Sequence, residues 1–91
     1  MSTKEKIQEQ VDILEKEVNL HEIILHNDDV NTFDFVIDTL IDVCEHTLIQ
    51  AEQCTILVHY KGKASVKHGE FNKLKPICSK LLEVGLSAEI V

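Results

Sequence analysis

Apolar residues recur along this chain with two different periods, and the points where the period changes mark the ends of its elements. Leu20 to His26 reads as a strand with Ile23, Ile24 and Leu25 at its centre, closed by the turn-forming run Asn27-Asp28-Asp29. Phe33, Val36, Ile37, Leu40, Ile41 and Cys44 then follow at helical spacing, with Asn31 or Thr32 as N-cap and Asp34 in the first turn. Thr47 and Gln50 form a capping box, which stops this helix near Glu45 and His46 and starts a second at Leu48. Leu48, Ala51, Thr55 and Val58 are expected on its inward face, His59 near its end and Gly62 as its stop. Ala64 and Val66 alternate with Ser65 and Lys67 as in a half-exposed strand.

Phe71, Leu74, Ile77, Cys78, Leu81 and Leu82 give a third helical stripe, but proline fits only the first turn or a kink. With Pro76 in this stretch, the helix start falls anywhere between Gly69 and Pro76. Gly85 closes it, and Leu86, Ala88 and Ile90 alternate in a last strand. The order β-α-α-β-α-β predicts an α+β fold, a three-stranded antiparallel sheet with three helices packed on one side. Ahead of this domain, which runs from residue 20 to 91, Ile7, Val11, Leu14 and Val18 recur at helical spacing in an otherwise polar stretch. Residues 1–19 are expected to form an arm, either frayed or helical where a surface supports its stripe.

Composition narrows the function. With 91 residues, 44% of them hydrophobic and 27% charged, the chain builds one core and a shallow site rather than a large enclosed cavity. A net charge of -7 and the lack of any arginine speak against nucleic acid or an anionic membrane as partner. The charged start Met1-Ser2-Thr3-Lys4-Glu5-Lys6 is unlike a secretory signal, so a cytoplasmic location is expected. Cys44, Cys54 and Cys78 are odd in number and widely spaced, which suggests free, buried or half-buried thiols rather than disulfides or a zinc site.

The chemistry to weigh lies in Asn27-Asp28-Asp29 and His59. Taken alone, the first is a turn that bonds its own backbone, and His59 is a helix-end histidine. If the two helices fold back as a hairpin, however, His59 returns toward Asn27 and Asp28. A ligand ammonium carries three N–H donors, which an amide oxygen, a carboxylate and an imidazole nitrogen can meet. A metal site built from His26, Asp28, Asp29 and His59 fits no recognised ligand spacing, and no metal or other cofactor is expected. Nucleophilic catalysis lacks a motif around Ser65 or the cysteines, and an acid–base hydrolase using Asp28 and His59 lacks an oxyanion site.

The run Ile24-Leu25-His26-Asn27-Asp28-Asp29, then Phe35-Val36, then Val58-His59-Tyr60-Lys61-Gly62-Lys63-Ala64, resembles the ClpS family of Clp protease adaptors over residues 20–91. The resemblance implies a non-catalytic adaptor whose ligand is the N-terminal residue of a degradation substrate: Leu, Phe, Tyr or Trp. By the same resemblance Asn27, Asp28 and His59 grip its α-amino group, and Asp29, Asn31, Phe33, Val36, Thr55, Val58 and Leu86 line the side-chain pocket. Phe33 and Thr55 stand where many relatives carry methionine, so a reshaped pocket is expected. The implied partner is the N-terminal domain of a Clp-family AAA+ unfoldase, with the arm 1–19 entering the unfoldase pore or contacting the substrate complex; a free monomer suits such an adaptor. The competing class is a structural interaction module, since the C-terminal domain of the ribosomal stalk protein has a similar layer and fold alone does not fix function.

Overall fold

The computed structural model describes residues 20–91; the arm expected over 1–19 lies outside the described residues. Strand β1 (Leu20–His26) is followed by helices α1 (Phe33–Cys44) and α2 (Leu48–Lys61), strand β2 (Lys63–Glu70), helix α3 (Phe71–Glu83) and strand β3 (Ser87–Ile90). Both sheet pairings are antiparallel in the order β2-β1-β3, so the first strand is the central one. The α+β arrangement and element order expected from the sequence are those observed.

Burial follows the strand period. Ile23 and Leu25 are buried within the core, whereas Glu22 is exposed and Ile24 half-buried. The core joins Ile23, Leu25 and Val66 of the sheet to Leu40 and Cys44 of α1, Ala51 and Val58 of α2, and Leu74, Cys78 and Leu81 of α3. Cys44, Cys54 and Cys78 are free thiols, the first and last buried, and burial pushes the Cys44 thiol up to about 11.

The helix starts obey local rules where side chains can cap. Thr32, not Asn31, caps α1 by accepting from the Phe35 N–H at 3.1 Å, and Thr47 caps α2 by accepting from the Gln50 N–H at 3.2 Å. On α2 the expected inward face holds at Ala51, Thr55 and Val58 but not at Leu48, which is 58% exposed. Leu48 is the first residue of its helix, and the core layer begins one turn further on. The third helix starts at Phe71, with Glu70 as a cap that makes no side-chain hydrogen bond, so Pro76 lies beyond the first turn. Its missing N–H falls opposite the carbonyl of Asn72, an exposed residue whose carbonyl water can satisfy. At the other end, Gly85 (φ 98°) donates to Leu82 O and Leu86 to Leu81 O, a Schellman closure that buries Leu86 against the core.

The joint between α1 and α2 is docked on an irregularity of the sheet. Ile23 pairs with Lys67 and Ile24 with Ser65, leaving Val66 as an extra residue in β2. Its carbonyl accepts from the buried ring of His46 through Nε2, and Lys67 donates to the Cys44 carbonyl at 2.9 Å, a cation at the α1 C-terminus. Between these contacts, exposed Glu45 takes a left-handed backbone (φ 58°). Glu45→Gly is therefore expected to raise the unfolding free energy by about 0.5–1 kcal/mol in urea titration, by relieving that conformation. Unchanged or lower stability would show that the turn is not strained.

Candidate functional site

Two segments meet where β1 ends. The Asn27 N–H donates to the carbonyl of Gly62 at 2.9 Å, and His26 pairs with Lys63 in the sheet. Gly62 has φ 89° and ends α2, its own N–H bonded to Val58 O, so only the turn it makes brings β2 back beside β1. The exit of β1 and the end of α2 are thus joined by backbone bonds, and His59 is held close to Asn27 and Asp28.

Below this junction lies an open-mouthed cavity of about 40 Å³, walled by Leu25, His26, Asn27, Asp28, Asn31, Phe33, Val36, Thr55, Val58, His59 and Leu86. Its volume holds only a few waters, a hollow rather than a chamber. The residues singled out in the sequence line it with one exception: Asp29 is exposed and outside its walls. The turn sends Asp28 inward, and the next residue then faces solvent. Leu25 and His26, the latter weighed in the sequence only as a metal ligand, are further walls of the cavity; their signal was their place directly before Asn27 on β1.

The lower walls are apolar. Val58 and Leu86 are buried, and buried Thr55 spends its hydroxyl on the Ala51 carbonyl at 2.7 Å, so it contributes a methyl group rather than a free donor. Phe33 sits at the first turn of α1, 43% exposed, with its ring 5.0 Å from that of His59 in an edge-to-face contact. His59 also meets Tyr60 edge-to-face at 5.0 Å, which positions the imidazole at the mouth between two aromatic rings.

Asp28 is the charged group of the rim. Its Oδ1 accepts the backbone N–H of Val30 at 2.9 Å and of Asn31 at 2.8 Å, and the Asn31 side chain donates to both carboxylate oxygens. The backbone and side-chain bonds from Asn31 hold its pKa below the usual carboxylate value. The carboxylate is therefore ionised at neutral pH. What these bonds add to folding is present above the ordinary carboxylate pKa and is lost as pH falls through the lowered one. A negative rim above an apolar hollow suits a small cationic group attached to a hydrophobic side chain.

Among the described residues, no group of three or more His, Cys, Asp or Glu side chains is placed to hold a metal ion. Nor is any helix among them long and apolar enough to cross a membrane.

Residues 16–89 match the sequence profile of the family described as ATP-dependent Clp protease adaptor protein ClpS. The ClpS adapter protein of Acetivibrio thermocellus is 36% identical over 66 residues, 72% of this chain and 67% of that one. Those of Serratia proteamaculans (37% over 57 residues) and Campylobacter jejuni (39% over 46) are matched over 63% and 50% of this chain. There the match spans about half of the relative's length, 53% and 48%. Among solved structures, ClpS2 of Agrobacterium tumefaciens bound to L-phenylalaninamide superposes with a TM-score of 0.68 at 24% identity, over 80% of this chain and 95% of that one.

Proposed function

The chain belongs to the ClpS family of Clp protease adaptors, and from the chemistry of its cavity we propose that it binds the free N-terminal residue of proteins destined for degradation. The observation that carries this reading is the meeting of Asn27, Asp28 and His59 around one apolar hollow. The α-ammonium of the ligand donates its hydrogen bonds to these three residues, and its side chain enters between Val36, Thr55, Val58 and Leu86. Burying a leucine-sized side chain contributes about 1.5–3 kcal/mol, and each charge-assisted bond to the amine about as much. The family's solved relative supports the reading, because L-phenylalaninamide combines a free α-amine with a large hydrophobic side chain.

The protein acts without catalysis or cofactor. It holds a substrate beginning with Leu, Phe, Tyr or Trp and passes it, as a monomer in the cytoplasm, to the N-terminal domain of a Clp-family AAA+ unfoldase. Residues 1–19 engage that machine during transfer. Titrating the protein into a fluorescently labelled peptide that begins with leucine is expected to give saturable anisotropy at neutral pH with the peptide recovered intact. If peptides beginning with Leu, Phe, Tyr, Trp, Ile and Val all fail to bind, the reading is lost to that of a structural interaction module.

A further inference from the structure

Asn31 stands between the two halves of the cavity. Its Nδ2 lies 3.1 and 2.9 Å from the Asp28 carboxylate oxygens and 3.0 Å from the carbonyl of Gly85. Three oxygens around one atom fix which way the amide points, because a second oxygen there would be repelled. One N–H is shared across the carboxylate and the other reaches Gly85. Gly85 closes α3 with φ 98°, and the next residue is Leu86, a buried cavity wall whose own N–H is held by Leu81 O. A single side chain thus joins the charged rim to the turn that carries an apolar wall.

The bonds around Asp28 are also unequal. Oδ1 takes two backbone N–H groups besides its share of Nδ2, whereas Oδ2 takes only the Asn31 amide and keeps acceptor capacity for a ligand.

The geometry points to Asn31 as a positioning residue: its amide orients Asp28 so that Oδ2 faces the ligand amine, and ties that carboxylate to the turn bearing Leu86. This deepens the N-terminal-residue reading and rests on it. Without the amide, Asp28 keeps its backbone bonds but loses the restraint on rotation of its carboxylate, and the Gly85 turn loses its tie to the rim. The grip on the amine and the wall of the hollow then vary independently.

Asn31→Leu tests this, since it keeps the volume and branching while removing both bonds; Asn31→Ala, run in parallel, removes them without adding apolar bulk. The first readout needs no ligand: carbon NMR of the Asp28 carboxyl is followed through its titration in wild type and variants. In both variants Asp28 is expected to titrate at higher pH than in the wild type, part of the way toward an ordinary carboxylate because the backbone donors remain. Affinity for a free-amine leucine peptide is expected to fall roughly tenfold. Asp28 titrating at the wild-type pH in both variants overturns the inference, and so does weakened binding with an unmoved titration, which would make Asn31 only a piece of wall. A wild type that fails to bind the peptide counts against N-terminal recognition instead, and the ligand-free titration still decides whether Asn31 holds Asp28.

Discussion

Acetylating the α-amine of a peptide that begins with leucine is expected to weaken its binding by about a hundredfold or more, with the rest of the peptide unchanged. The loss has two parts: the ammonium's bonds to the rim disappear, and the Asp28 carboxylate is brought under an acetyl group that cannot pair with it. Bonds to charged groups contribute roughly 1.5–3 kcal/mol, so forfeiting even one strong bond accounts for most of the effect. The same dependence on charge can be read with an unmodified peptide by raising the pH. Above the α-amino pKa of about 7.7–8.0 the ligand loses its proton, and affinity at pH 9.5 is expected to be some thirtyfold below that at pH 7. On the acid side, the contribution of the Asp28 carboxylate is lost as pH falls through its lowered pKa. Equal affinity of the free and acetylated peptides would dispose of the amine grip, and a flat profile from pH 7 to 9.5 in a folded protein would do the same.

Much of the fold was legible because local rules and tertiary packing agree. The stripe from Phe33 to Cys44 carries its own cap at Thr32, Thr47 announces α2, and Gly62 and Gly85 take the positive φ angles that end helices. Legibility fails where one of these signals is missing. The start of α3 could not be read because Glu70 caps it without a side-chain bond and Pro76 stands inside the helix. Leu48 satisfies the helical period of α2 yet is exposed, since periodicity does not tell where along a helix the core layer begins. The extra residue at Val66, and the burial of His46 beneath it, depend on pairing between β1 and β2 that no local pattern records.

The site divides in the same way. Asn27, Asp28 and His59 were readable as a set because a helical hairpin brings the end of α2 back to the start of α1, and the Asn27–Gly62 bond completes that approach. Phe33, Val36, Thr55 and Val58 fall on helix faces that point into the hollow. Asp29 lies outside the cavity walls for a reason of scale: in a tight turn, adjacent carboxylates diverge, and composition cannot say which one turns inward. The bridge from Asn31 to Gly85 spans 54 residues of sequence and exists only after α3 has packed, so the chain gives no advance sign of it.

The divergence of the two carboxylates makes them a matched pair for the remaining test. Asp28→Asn is expected to weaken binding of the free-amine leucine peptide roughly a hundredfold, equivalent to about 2.7 kcal/mol. Its stability is expected to fall modestly, because its NH2 takes the place of Oδ2 opposite the Asn31 amide donor. An asparagine oxygen can still accept the Val30 and Asn31 N–H groups, so the turn persists while the charge goes. Asp28→Ala is the coarser variant: it removes those acceptors too and is expected to lose about 1 kcal/mol of folding stability along with affinity. Asp29→Asn removes the same charge one residue away, outside the cavity walls, and is expected to alter affinity less than about threefold, because an exposed charge is screened by solvent and salt. A contribution from overall acidity would make the two Asn variants equivalent and would shrink with added salt. A local grip makes Asp28→Asn alone severe and leaves most of the difference at high ionic strength. Isothermal titration of both variants at low and high salt separates these cases, and wild-type affinity in a folded Asp28→Asn variant would remove the carboxylate from the recognition chemistry altogether.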